Sequence, residues 1–523
     1  MKASLSADRL DLALRDLPHA YPGPGGAVAV LREGEVLVRH AWGFANAERR
    51  IAFTPRTLFR MCSITKQFTC ALLRDVFSDL SALDADVVDR LPKLEQAAPS
   101  VAHLCHNQSG LRDYWALAML HGAPAESAFG EMEAARTISA AKTLQFPAGT
   151  RYSYCNQNFR LLSDILQART GQAFAHLLRT RIFEPVGMDQ AFLAADTRAM
   201  PDGTEGYEGA VATGFRPAEN RILWTGDAGL GASLDDMIAW ERHIDATRDD
   251  PGSLYGRIAA PVSFADATPA AYGFGLNRRA ELGRAASGHG GALRGWRSHR
   301  LYLPKARLSV VVMFNHLSDA HAAAVSLAAA ALGEPTPTLS PQPDPDWLGA
   351  YVDPDTGLGV RLDKASADQV RLRFGHSAER LDLQPDGSAA SETVRLHRGP
   401  DGVWMDRRQD NQRVRLTPLE PANLAPDLDA EGLYRCEELE AALTIADAGG
   451  ALYGGFSGFL GQGRMELLEP VGRDIWALPC PRALDHTPPG DWTLAFSRDA
   501  SGRVEGARVG CWLARGLSYR RVG

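Results

Sequence analysis

An α+β domain followed by two small antiparallel β-barrels is the architecture this sequence predicts. Three observations carry it: the first 333 residues mix alternating and helical periods, two proline-rich stretches interrupt the chain, and the segments beyond the first stretch repeat one another. At 523 residues the chain is also too long for one ordinary core, since single cores stop growing beyond about 250–300 residues.

The elements follow in order. "GAVAVLREGEVLVRHAWGFAN" (26–46) alternates on both sides of Glu33-Gly34 and reads as a hairpin. Helical patterns occupy 63–79, 158–170 and 233–245, the second closed by Gly171. Strands return at 271–276, 285–291 and within "HRLYLPKARLSVVVMFNH" (299–316), and a helix closes the segment near 318–332. Strands at both ends with helices between them predict one antiparallel sheet with a helical insertion.

"GEPTPTLSPQPDPD" (333–346) holds five prolines and almost no apolar side chains, and "PLEPANLAPDLD" (418–429) is a weaker version of it. Neither can hold a helix or bury surface, so both read as linkers. They divide the chain into 1–333, 334–418 and 419–523. The last two share Gly-x-Tyr, at Gly349/Tyr351 and Gly432/Tyr434, then an alternating pair, Val360/Leu362 and Leu443/Ile445, at a constant offset of 83 residues. A fixed offset points to a duplicated unit, with chance recurrence as the alternative. Short alternating runs between turn residues make each unit antiparallel β.

Composition excludes several classes. With 45% hydrophobic residues, 23% charged residues and a net charge of −7, the chain lacks the clustered cations that nucleic acid or an anionic membrane requires. Charges at Asp8, Arg9, Asp11, Arg15 and Asp16 interrupt any secretory core at the start. The longest apolar run, 322–333, is short of the roughly 20 residues that span a bilayer. Seven scattered cysteines without Cys-x-x-Cys spacing argue against a disulfide framework and favour the cytoplasm. His103, Cys105 and His106 resemble a metal cluster but lack further ligands at a recognisable spacing, so no metal is expected. "YGGFSGFLGQG" (453–463) is Gly-rich without a βαβ context and reads as barrel turns.

The chemistry starts in "TLFRMCSITKQFTCALL" (57–73). Ser63 and Lys66 at i and i+3 share one helical face near its first turn, where the helix dipole favours a developing oxyanion. Amid Phe59, Met61, Ile64 and Phe68 the lysine is partly desolvated, which lowers its pKa toward the range of a general base. Alone, Ser-x-x-Lys is a common solvated face. Two further stretches change its weight. Tyr154 and Asn156 lie on a turn before a helix in "RYSYCNQNF", and His289 and Gly291 begin a strand in "SGHGGALRGW". A tyrosine hydroxyl can relay a proton, Asn156 can hold a substrate carbonyl, and glycines after His289 admit a close backbone for oxyanion donation and β-type pairing.

Ser63-x-x-Lys66, Tyr154-x-Asn156 and His289-x-Gly291, in order, resemble the penicillin-recognising serine enzymes. These comprise class C β-lactamases, D-Ala-D-Ala carboxypeptidases, esterases and D-stereospecific peptidases. "VAHLCHNQSGLRDY" (101–114), "IFEPVGMDQ" (182–190), "GDAGLGASLDDMIAW" (226–240) and "YGFGL" (272–276) extend the likeness over residues 1–333. It implies a class C β-lactamase-like catalytic domain in which Ser63 is the nucleophile. Lys66 and Tyr154 share the base and acid work, and backbone N–H groups of Ser63 and Ala292 hold the oxyanion. His289 stands where β-lactamases of this group usually carry lysine, which leans toward the peptidases and esterases.

A catalytic domain with two trailing barrels narrows the resemblance to the superfamily's aminopeptidase branch. That branch is cytoplasmic and homodimeric, uses no cofactor, and removes an unblocked, small N-terminal D-amino acid from peptides, amides and esters. Inhibition by β-lactams belongs to the same expectation. In this branch a loop of the last barrel enters the cleft and selects the free amine, and "CPRALDHTPPGD" (480–491) is the candidate here. Pro481, Pro488, Pro489 and Gly490 stiffen the turn, and Arg482, Ala483, Leu484, His486 and Thr487 complete it. Asp485 offers a carboxylate to an ammonium, with Asp491 a close competitor. The loop's other reading is an ordinary exposed turn. The nearest alternative function is an esterase or D,D-carboxypeptidase, for which His289 or Arg294 would supply a cation. A second alternative is a non-catalytic D-peptide or β-lactam sensor.

Overall fold

The computed structural model describes residues 2–334, 342–375, 377–420, 428–484 and 489–522. The alternating N-terminal segment forms strands Gly25–Arg32 and Glu35–Asn46, reversed at Glu33 and Gly34 with φ of +56° and +78°. They belong to an eight-stranded antiparallel sheet whose other strands include Leu276–Glu281, Arg284–Leu293, Trp296–Leu303 and Leu308–Phe314. Gly25–Arg32 pairs with Leu308–Phe314, Val28 opposite Val312, so the sheet joins the two ends of the first 333 residues.

Both faces of this sheet are covered, and successive side chains divide between them. Val28, Val30, Val310 and Val312 share a core with Leu10 and Leu17 of helix Lys2–Ala20 and Ala323 and Leu327 of helix Ala320–Leu332. Ala27, Ala29, Leu31, Val311 and Met313 join the opposite core with Phe59, Met61, Phe68, Leu72 and Trp240. Double burial explains the unbroken apolar runs Ala27–Leu31 and Val310–Phe314 in these strands.

The helical insertion centres on Thr65–Val76, buried from Thr65 through Leu73. This helix starts two residues later than its sequence pattern, because Cys62 is left-handed at φ +51° and turns the chain before it. Helix Asn156–Thr170 ends on left-handed Gly171, and helix Leu234–Ala246 starts in a capping box of Ser233 and Asp236.

Each C-terminal unit closes on itself. In the first, Gly349–Val352 pairs with Gly359–Lys364 on one side and Thr417–Pro418 on the other, which closes the nine-stranded antiparallel sheet into a barrel. In the second, Glu466–Leu467 pairs with Leu452–Gly458 while Glu469–Gly472 pairs with Ile475–Leu478, completing the ring across Leu468. The duplication seen in sequence has a common register. Tyr351 faces Val360 and Gly349 faces Leu362; Tyr434 faces Leu443 and Gly432 faces Ile445. Each tyrosine hydroxyl also donates to the carbonyl four residues earlier, at 2.8 Å to Trp347 and 2.7 Å to Ala430.

The last barrel docks on the insertion through a turn, residues 512–513, between strands Val504–Cys511 and Ala514–Arg521. Asp113 N donates to Leu513 O at 3.0 Å and Arg112 Nε to Arg515 O at 2.9 Å.

Candidate active site

Strand Phe59–Cys62 pairs with Leu230–Ala232 and turns through Cys62 into helix Thr65–Val76, leaving Ser63 half-buried at the bend. A left-handed non-glycine residue costs about 1–2 kcal/mol, and local bonds hold it there. Thr65 Oγ1 donates to Cys62 O at 2.5 Å and accepts from Leu230 N at 2.9 Å.

Lys66 is fully buried. Its Nζ lies 2.9 Å from Ser63 Oγ, 2.8 Å from Asn156 Oδ1 and 2.7 Å from Asp227 O. The last two groups only accept, so each takes an N–H of Nζ, and Nζ also meets Ser63 Oγ. At that distance a proton can pass between Ser63 Oγ and Nζ in either direction. Tyr154 OH stands 2.8 Å from Ser63 Oγ, and its ring centroid is 4.8 Å from Lys66 Nζ. Asn156, first residue of its helix, directs its backbone N and Nδ2 to Asp113 Oδ2 at 2.5 and 2.9 Å. Asp227 in turn accepts from Tyr114 OH at 2.5 Å and Thr225 N at 3.0 Å.

His289 lies on strand Arg284–Leu293, 4% exposed. Its Nδ1 is 2.5 Å from Gly290 O, which can only accept, so Nδ1 carries the proton and Nε2 accepts from Tyr272 OH at 3.2 Å. Burial, with the charge of Lys66, pushes this imidazole down to about 3. A neutral His289 supplies no cation for a substrate carboxylate. Arg294 does not serve either: it is buried, with Glu126 at 3.3 Å and Glu208 at 3.5 Å. The cation that a carboxypeptidase reading wants therefore has neither of its two candidates. Gly291 presses on the nucleophile strand, and a Cβ there would come closer than 3.0 Å to Met61 O and Ser298 Oγ. Ala292, half-buried, follows it in the same strand.

Asp485, His486, Thr487 and Pro488 of the candidate loop lie outside the described residues. Its stem is tied to the first domain. Arg482 Nε donates to Glu126 at 2.9 Å and its guanidinium reaches Glu208 at 3.2 Å. Arg294 donates to Ala483 O, and Leu484 is buried in the hydrophobic core that the catalytic segment shares with the first barrel. Pro481 is exposed, Pro489 is buried, and Gly490 has φ +90°. Asp491, the competitor for the substrate amine, bonds Arg361 of the preceding barrel at 3.0 Å.

The structure thus brings Ser63, Lys66, Tyr154 and Asn156 into one bonded group with Gly291 and His289 beside it. Sequence reasoning missed Asp113, Tyr114 and Asp227, which back this group; their signal is the acid in "GLRDY" and in "GDAGLG". His103 and His106 have packing roles. His103 completes a capping box with Ser100, and the His106 ring meets Phe274 edge-on at 4.6 Å. Among the described residues no group of three or more His, Cys, Asp or Glu is placed to hold a metal, and no helix is long and apolar enough to cross a membrane.

Comparison with known proteins identifies the family. Residues 10–333 match the Beta-lactamase family and residues 340–520 match "D-aminopeptidase, domain B". A D-aminopeptidase of Gluconobacter oxydans (strain 621H) is 58% identical over 532 aligned positions covering 100% of both chains. One of Brucella melitensis biotype 2 is 46% identical over 514, covering 98% of each. In three dimensions the chain is similar to the octameric penicillin-binding protein homologue of Pyrococcus abyssi. The TM-score is 0.52 at 20% identity, over 78% of this chain and 99% of that one, and this likeness bears on the fold alone.

Proposed function

The chain belongs to the D-aminopeptidase family, in which a β-lactamase-type domain is joined to D-aminopeptidase domain B, and from that premise we propose a D-stereospecific serine aminopeptidase. Its substrates are peptides, amides and esters that begin with an unblocked, small D-residue. One observation carries the chemistry: Ser63 Oγ is met at once by Lys66 Nζ at 2.9 Å and Tyr154 OH at 2.8 Å.

Lys66, aided by Tyr154, takes the Ser63 proton as Oγ attacks the carbonyl after the D-residue. Backbone N–H groups of Ser63 and Ala292 stabilise the oxyanion, and Asn156 helps hold the substrate carbonyl. The proton returns through Tyr154 and Lys66 to the leaving amine, and water then hydrolyses the acyl-serine. We assign recognition of the substrate ammonium to the 481–491 loop, with Asp485 as the carboxylate. The docked stem at Arg482 and Leu484 and the engagement of Asp491 by Arg361 support that choice. Inhibition by β-lactams, a homodimer and a cytoplasmic setting complete the reading.

The test compares cleavage of free and N-acetylated D-alanine p-nitroanilide, with the L-isomer as control. The reading expects turnover of the free D-compound alone. Equal cleavage of the acetylated compound would replace it with an esterase or amidase of broader scope.

A further inference from the structure

Asp113 is fully buried and divides its two oxygens between two tasks. Oδ1 accepts from Trp115 N at 2.9 Å and caps helix Tyr114–Leu120. Oδ2 accepts the backbone N–H and the side-chain Nδ2 of Asn156, at 2.5 and 2.9 Å. An amide is planar, with its oxygen and its NH2 on opposite sides. Fixing Nδ2 on Asp113 therefore fixes Oδ1 on the far side, where Lys66 Nζ reaches it at 2.8 Å. Rotated by half a turn, the amide would present N–H groups to the N–H groups of Lys66 and break this arrangement.

The same residue reaches outward. Its own N–H donates to Leu513 O at 3.0 Å, in the turn of the last barrel. That turn is held on both sides: Arg112 Nε bonds Arg515 O at 2.9 Å, Arg515 N bonds Gln145 Oε1 at 3.2 Å, and Trp512 Nε1 bonds Asp410 Oδ2 at 3.0 Å. A continuous path of hydrogen bonds runs from Leu513 through Asp113 and Asn156 to Lys66 and Ser63.

We propose that Asp113 is a positioning residue for acylation, which orients the Asn156 amide toward Lys66 and ties that orientation to the 512–515 turn of the last barrel. The proposal rests on the reading of Ser63 and Lys66 as the acylating pair. It gives the C-terminal barrel a part in the chemical step that is separate from the 481–491 loop.

Asp113→Asn and Asp113→Ser test it. Asparagine and serine cap helices about as well as aspartate, yet neither can serve both Asn156 N–H groups while capping Trp115. Each variant, folded by near-ultraviolet circular dichroism, is expected to lose roughly 10- to 100-fold in kcat on D-alanine p-nitroanilide with KM within about threefold. In an Asn156→Ala background the same change at 113 should alter kcat by less than about threefold, because both residues act through one orientation. Additive losses, wild-type kcat in a folded Asp113 variant, or loss of fold in both variants would overturn the proposal and leave Asp113 a structural cap. Ser63→Ala is measured alongside. Turnover that survives it overturns the nucleophile reading, whereas additive losses beside an inactive Ser63→Ala overturn only the role of Asp113.

Discussion

Replacing Gly291 by alanine adds one methyl group to the strand that backs the nucleophile. That methyl would sit closer than 3.0 Å to Met61 O and Ser298 Oγ, with the Met61 carbonyl carbon at 3.1 Å. The nearest of these obstacles is backbone, so the two strands must separate by about 1 Å to reach ordinary contact. Met61 lies two residues before Ser63, and a catalytic group displaced by about 1 Å costs on the order of 10²-fold in rate. Overpacking of this kind destabilises by about 1–3 kcal/mol, which a well-packed domain survives. Gly290→Ala is the matched control, since its Cβ would meet nothing nearer than His299 Nδ1 at 3.4 Å. Steady-state kinetics on D-alanine p-nitroanilide should therefore show Gly291→Ala reduced about 100-fold in kcat/KM and Gly290→Ala within about threefold of the parent. Equal behaviour of the two variants would refute the argument that this strand sets the position of Ser63.

Ser63→Ala should abolish turnover with an unchanged melting temperature, while Lys66→Ala and Tyr154→Phe each slow acylation by roughly 10²–10⁴-fold, read from the p-nitroaniline burst. Arg482→Ala removes a partly exposed ion pair and should change stability by only about 0–1 kcal/mol. It frees the loop stem, so cleavage of the N-acetylated compound relative to the free one should rise; an unchanged ratio counts against the loop as gate. Burial holds the imidazoles of His106 and His289 at about 3 and those of His121 and His316 at about 4, below the ordinary 6.5. The unfolded chain binds protons at these sites first. Their stability is complete above pH 6.5 and is lost as pH falls toward the folded values, about 2 kcal/mol each at pH 5. Thermal melts should be flat from about pH 7 to 7.5 and fall steeply below 6.5; equal midpoints at pH 5 and 7.5 would contradict this.

Local signals in the sequence carried further than the partners of the site. Ser63-x-x-Lys66 and Tyr154-x-Asn156 are short motifs that gain weight by occurring together and by their likeness to a family, and the fold joins them within hydrogen-bond distance. The Gly-x-Tyr duplication was legible because each tyrosine serves a strand pair and a carbonyl four residues away, both local relations. Asp113 and Asp227 were not legible as site residues, because their bonds to Asn156 and Lys66 span 43 and 161 positions. Nor was the bend at Cys62, a single left-handed residue that no glycine marks. The motif order set His289 near Tyr154, but burial and the charge of Lys66, which push its pKa down, are set by the packed fold.

The most direct measurement traps the covalent intermediate. Enzyme mixed with a D-alanine ester, quenched in acid within the first turnovers and digested, should show one D-alanyl group on the peptide that contains Ser63. The mass increase should be absent from Ser63→Ala and from enzyme mixed with the L-ester. An adduct on another residue, or turnover of the D-ester by Ser63→Ala, would contradict the account.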